Sequence, residues 1–189
     1  MQEHPLIDLY VSVGTEQENT EIEQKLSTVK LDDIVFYTLE VANIHQPVIL
    51  TLLITDDNGI RDMNKQYREQ DKPTDVLSFP LLAKPLAQAP EDQLWTPQAD
   101  EGIEGQQPLD FVTPPDMITN LGDIVMSWPT IVRQATEAGH APLIEVLYLL
   151  SHGVLHLVGY DDQTEAGYQA MVQKQLAVLR RLGYKVYAK

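Results

Sequence analysis

Hydrophobic and polar residues alternate near the start of the chain. Ile7, Leu9, Val11 and Val13 interleave with Asp8, Tyr10 and Ser12. A period of two predicts a first strand with one face on the core. Residues 14–27 are polar and acidic and read as a loop or short exposed insertion. Leu31, Ile34, Val35, Leu39 and Ala42 then fall on one helical face, with Thr28 or Asp32 as candidate caps. Val48 to Ile54 is an almost unbroken apolar run of strand length, which predicts a strand buried on both faces. Asp56, Asp57 and Asn58 are candidate caps for a helix that turns Ile60, Met63 and Tyr67 inward and stops at Pro73. Thr74 to Phe79 reads as the next strand.

Residues 81–118 break the pattern. Pro, Gln, Asp and Glu dominate without a hydrophobic period, which predicts a long, mobile loop. Order returns with a strand over Leu121 to Met126. Pro129 suits the first turn of a helix ending at Gly139, and Pro142 begins another that Gly159 closes. Thr164 to Arg181 predicts a final amphipathic helix with Tyr168, Met171, Val172, Leu176 and Leu179 on its apolar face. Mixed strands and helices over 189 residues, without an internal repeat, imply one domain of α/β or α+β layers.

Composition narrows the chemistry. The longest apolar run, around 141–160, contains Glu145, His152 and His156, so it reads as a buried helix of a soluble protein rather than a membrane span. The first residues lack the basic and apolar regions of a signal peptide. The chain has no cysteine, so any metal takes nitrogen and oxygen ligands, and a cytoplasmic location fits. The formal net charge of −15 argues against binding nucleic acid over the whole surface, but leaves room for a local basic groove.

The stretch HGVLHLVGYDD, residues 152–162, carries the metal chemistry. Residues four apart share one face of a helix, so His152 and His156 can address one ion. Gly159 breaks the helix and lets Asp161 or Asp162 reach the same point. His at zero and four, Gly at seven and an acceptor at ten is metzincin ligand spacing, and here the acceptor is Asp162. Two imidazoles and a carboxylate leave one position for water, as a catalytic zinc site requires. Metzincin peptidases place a Glu base directly after the first His. Here that position is Gly153.

A second group lies earlier. Arg61, Lys65, Arg68 and Lys72 are spaced four, three and four, a basic stripe suited to a phosphate backbone. Arg68 is the favoured member because a guanidinium pairs with phosphate through two hydrogen bonds. Asp62 and Glu69 lie among them, so a plain solvated face is the competing reading.

Taken together, NKQYREQDKPTDVLSFP (64–80), LGDIVMS (121–127) and HGVLHLVGYDD (152–162) resemble the YbeY family of metal-dependent endoribonucleases, in the family's order. The resemblance implies a compact α/β fold, a small mixed sheet flanked by helices, with the metal site at the end of a buried helix. It implies single-strand-specific RNA cleavage in ribosomal RNA processing and one divalent metal, zinc first. Small-subunit ribosomal components and a ribosome-associated GTPase are the implied partners, with no membrane. His152 and His156 match the family's first two ligands. Arg68 matches its phosphate-binding arginine, and Glu145 a supporting glutamate.

The resemblance departs at 162, where the family's third ligand is His and this chain has Asp162. A carboxylate adds negative charge at the ion, which weakens its Lewis acidity and shifts preference toward harder metals such as manganese. Asp161 is the rival ligand, and its match to the family's Asp favours a supporting role. Two other functions stand beside the nuclease. One is a metzincin-like zinc peptidase, against which Gly153 argues. The other is a non-catalytic ribosome-assembly factor with a structural metal, which Asp162 leaves open.

Overall fold

The computed structural model describes residues 6–97 and 117–185. Four strands, β1 (Leu6–Ser12), β2 (Val48–Thr55), β3 (Val76–Pro80) and β4 (Thr119–Ser127), form one mixed sheet in the order β1-β2-β4-β3. The first three neighbours run parallel, and β3 closes one edge antiparallel to β4. Six helices complete the described fold: α1 (Glu16–Ser27), α2 (Leu31–Val41), α3 (Asp57–Arg68), α4 (Trp128–Ala138), α5 (Pro142–Val158) and α6 (Glu165–Arg181). This is the expected α/β class.

Val48, Leu50, Leu52 and Ile54 of β2 are fully buried with residues of α2, α5 and α6. The alternate residues Ile49, Thr51 and Leu53 are only partly covered, so the strand is fully buried on one face rather than two. On that second face α3 sets Ile60 against Leu77 and Val125, with Leu53, Met63 and Phe79 around them. Tyr67 does not point inward as expected. It is 63% exposed and meets Phe79 edge-on at 5.4 Å. The helix also stops before Pro73, because Glu69 adopts a left-handed conformation (φ 57°) and Gln70 folds its N–H back to Asn64.

Residues 14–27 form helix α1 (Glu16–Ser27) with its N-terminal cap, not a loop. Thr15 accepts from the Glu18 N–H while the Glu18 carboxylate accepts from the Thr15 N–H, and Ile22 and Leu26, one turn apart, are buried. Neither Thr28 nor Asp32 caps α2. Thr28 instead ends α1, its hydroxyl donating to the Lys25 carbonyl at 2.6 Å. In α6 the buried stripe is Gly167, Met171, Gln175, Val178 and Leu179, rotated from the expected face, so that Tyr168 is 46% exposed.

The expected mobile loop is docked where it is described. Leu86 and Ala87 donate to the Val158 carbonyl, Trp95 donates to that of Gly159, and Leu94 pairs with Tyr160. Residues 98–116 of that loop lie outside the described residues. Among the described residues no single helix is long and apolar enough to cross a membrane.

Helix α5 approaches the sheet closely because residue 153 has no side chain. A Cβ there would lie 2.8 Å from Ile124 Cδ1 and 3.0 Å from its Cγ2. Alanine in place of a helical glycine ordinarily gains about 1 kcal/mol. Overpacking a filled contact costs about 1–3 kcal/mol. Gly153→Ala should therefore be destabilised by a net of about 1 kcal/mol in urea unfolding. A stabilised variant would contradict the close helix–sheet contact.

Candidate metal centre

The two histidines lie on the partly exposed side of α5, an otherwise buried helix. Their rings stand edge to face at 4.6 Å, and their Nε2 atoms are 3.0 Å apart. Gly159 takes φ 131°, a conformation open to glycine, and a Cβ there would strike Pro85 at 2.4 Å. The chain turns back and brings Asp162 Oδ2 to 3.7 Å from each Nε2. Among the described residues these three form the group able to hold a metal, their donor atoms lying within 4.8 Å of one another.

The other ring nitrogens decide the protonation. His156 Nδ1 is 2.9 Å from the Tyr160 carbonyl, and His152 Nδ1 is 3.4 Å from Gln175 Oε1. A carbonyl oxygen can only accept, so each Nδ1 carries a proton and each Nε2 of a neutral ring presents its lone pair. Gln175 is buried and is itself oriented by donating to the Tyr148 carbonyl at 3.3 Å. Two facing lone pairs and a carboxylate repel one another until a cation sits among them. The donor set therefore fits a divalent metal.

Burial, with the neighbouring His156, pushes the His152 pKa down to about 4. The nearness of His156 holds Asp162 down at about 2, against the opposing effect of burial. Both groups are thus in their ligating forms near neutral pH.

A cleft of about 490 Å³ opens over this group, with Arg68, Thr74, Ser78, Trp95 and Gln163 in its walls. Arg68 ends α3 and is held there by donating Nη2 to the Ser78 carbonyl at 2.5 Å, its guanidinium 5.6 Å from the Phe79 ring centre. The rest of the basic stripe does not join it. Arg61 pairs with Asp71 at 2.7 Å, and neither Arg61, Lys65 nor Lys72 lines the cleft. The left-handed turn at Glu69 ends the helix, so Lys72 leaves the line that helical spacing draws.

Asp161 is in the cleft wall but outside the three-atom group. Its N–H donates to the Gln93 carbonyl and its carboxylate accepts from the Gln163 N–H. Glu145 is buried two turns before His152 on α5. One oxygen lies 3.3 Å from His140 Nε2. With the Gln134 amide turned so that its nitrogen faces the Glu145 and Asp75 carboxylates, it donates to the other Glu145 oxygen at 3.0 Å and to Asp75 Oδ2 at 3.2 Å. Glu145 therefore supports Asp75, which lines the cleft, through Gln134. Gln175, Trp95 and Asp75 were not foreseen. Trp95 donates its indole N–H to the His156 carbonyl at 2.8 Å, so the loop braces the metal helix. A lone Trp in a polar stretch and a Gln within an apolar stripe were the available signals.

Fold and site together define an α/β protein with a group able to hold a metal and an arginine in the same open cleft. The model of the family described as endoribonuclease YbeY matches residues 12–183. A relative in Desulforamulus reducens, named endoribonuclease YbeY, is 38% identical over 173 residues, covering 92% of this chain and 97% of its own. A second in Roseiflexus sp. (strain RS-1), also named endoribonuclease YbeY, is 38% identical over 154 residues, covering 81% and 82%. The solution structure of a Thermotoga maritima protein aligns with a TM-score of 0.45 at 20% identity, over 93% of this chain and 91% of that one. The chain belongs to the YbeY endoribonuclease family.

Orientation of His152 by Gln175 is testable without catalysis. Partners of this kind are worth about 10–100-fold in metal affinity. Gln175→Leu should weaken zinc binding by about that factor in chelator competition, and an unchanged affinity would show that the amide does not matter. Because the His152 pKa is lowered, folded protein binds fewer protons than unfolded protein between its ordinary value and about 4. Metal-free protein should lose stability as pH falls from about 6.5 to about 4, and His152→Gln should flatten that slope in urea unfolding.

Proposed function

We propose that this chain is a metal-dependent endoribonuclease that cuts single-stranded RNA in the processing of ribosomal RNA. The observation that supports it most is Arg68 standing in the same cleft as the His152–His156–Asp162 group. Zinc fits that group: its ligands at about 2.0–2.2 Å separate tetrahedral donor atoms by roughly 3.3–3.5 Å. The observed separations of 3.0, 3.7 and 3.7 Å straddle that spacing. When bound, the ion would supply a Lewis acid and a water of lowered pKa.

The protein's own residues do the remaining work. Arg68 is the one Lys or Arg among the described residues lining the cleft, so a phosphodiester entering this acidic protein meets its positive charge there. The Ser78 carbonyl fixes the guanidinium and leaves its other N–H groups for the phosphate oxygens. As charge builds on the phosphoryl oxygens, Arg68 stabilises it without having to reorganise. Tyr160 and Gln175 keep the Nδ1 protons in place, so both Nε2 atoms face the reacting centre. In this reading the partners are small-subunit ribosomal components and a ribosome-associated GTPase, as the family resemblance implies, and the protein works in the cytoplasm. A peptidase is disfavoured because the position of its glutamate base is occupied by Gly153, packed against Ile124.

Purified protein should cleave an end-labelled single-stranded RNA, and His156→Ala prepared identically should not. Removing an electrostatic stabiliser costs about 10²–10³ in rate, so Arg68→Ala should lose about that much in kcat/KM. Arg61→Ala, which leaves the cleft intact, should stay within about two-fold of the parent, since surface ion pairs contribute little. Equal cleavage by wild type and His156→Ala would betray a contaminating nuclease and sink the proposal. Metal uptake with no turnover on any RNA would turn it toward a non-catalytic assembly factor.

A further inference from the structure

Two cavities meet at the metal ligands. The second, about 270 Å³, is lined by Tyr148, Leu149, Tyr168, Val172 and Gln175, and shares Asp75, Val76, His152 and Asp162 with the cleft described above. It thus lies where α6 and α5 flank the site, whereas Arg68 belongs to the first cavity alone. Both cavities hold Asp75 and Asp162, and only the cleft has Arg68 to offset them. The second cavity holds the carboxylates of Asp75 and Asp162 and, among its described lining residues, no Lys or Arg. A phosphate is repelled there. Aromatic and aliphatic walls with a placed acceptor suit a flat, uncharged group that donates hydrogen bonds.

We propose that this second cavity is a nucleobase subsite. The nucleotide beside the scissile phosphate lays its base against Tyr168 and Tyr148 and turns an amino group to Asp75. The inference rests on the endoribonuclease reading above and deepens it by naming a base preference. Asp75 is built for the role. The Gln134 amide donates to its Oδ2 at 3.2 Å, the Thr74 hydroxyl lies 3.4 Å from its Oδ1, and its own carbonyl accepts from the Ser127 N–H at 3.0 Å. Each carboxylate oxygen offers two lone pairs, so acceptor capacity remains after those contacts. The buried Glu145, which holds Gln134 from behind, then serves the same end.

An acceptor-only group selects among bases by their Watson–Crick edges. Guanine offers two parallel N–H groups to a carboxylate. Cytosine and adenine each offer an amino group. Uracil flanks its single N–H with two carbonyls, which the carboxylate repels. The order is therefore guanine first, cytosine and adenine next, uracil last. Tyr168, exposed on the rim, adds stacking that does not depend on the base.

The test uses uridine-run RNAs carrying one guanine, cytosine or adenine, together with 2′-O-methyl counterparts that cannot be cut. Binding of the uncut set is followed by fluorescence anisotropy, and cleavage of the natural set by end-labelling. The guanine oligomer should bind tightest and be cut at a bond next to its guanine. Tyr168→Ala should weaken binding of every oligomer by about ten-fold, and Tyr168→Phe should restore it. Asp75→Asn should bring the guanine and uridine oligomers together in affinity. Equal binding of all oligomers by the parent, untouched by Tyr168→Ala, would overturn the subsite even if RNA is cut. A guanine preference in binding without any cleavage would support the subsite and overturn the nuclease reading instead.

Discussion

Everything at the site depends on the burial of α5. A helix covered on most sides can carry two imidazoles only if their polar atoms find partners, because an unpaired buried group costs about 1–3 kcal/mol. The partners come from the chain that follows. Tyr160, itself buried, presents its carbonyl to His156, and Gln175 on the next helix presents its amide oxygen to His152. Meeting that demand places α6, and the turn at Gly159 that makes both contacts possible also delivers Asp162. The same atoms that satisfy the buried rings aim the metal-facing ones.

Gly153 shows one position answering two demands. Its missing side chain lets α5 settle against Ile124, and this close approach holds the histidines over β3, where Ser78 anchors Arg68. The position cannot also supply a proton-handling carboxylate, so proton transfer has to be met by other means than in the peptidases that share the ligand spacing. A cluster at the C-terminal end of β4 positions α3 itself. Burial tends to raise the pKa of Asp57, but hydrogen bonds from Ser127, Thr130 and Arg133, with the charge of Arg133, outweigh it and hold the carboxyl below its usual range. That carboxylate joins the start of α3 to the start of α4.

Much of this was legible in the residues alone. The alternation in β1, the apolar run of β2, Pro129, Gly139, Pro142 and Gly159 all mark real boundaries, because each reports a local backbone or burial requirement. The histidine spacing and Asp162 also read directly, since helical geometry fixes where those atoms can go. What escaped depended on the third dimension. Helix α1 buries just two residues, Ile22 and Leu26, too few to show as a period, although the Thr15 and Glu18 capping pair announced it. The basic stripe followed from spacing alone, with Pro73 already disfavouring helix at Lys72, and no periodicity reveals a left-handed Glu69. Gln175, Trp95 and Asp75 reach the site from distant positions, and one-dimensional spacing carries no sign of that.

The dispersal of the site along the chain has a consequence for its biosynthesis. Arg68 and Asp75 come early, Trp95 in the middle, the ligands late, and Gln175 later still. On a translating ribosome, the ligand group lacks its orienting amide until α6 has left the exit tunnel and docked. Parallel pairing of β1, β2 and β4 adds long-range closures that are slow to form. A chain in the act of being made therefore lacks part of the support for its metal ligands until synthesis has passed Gln175.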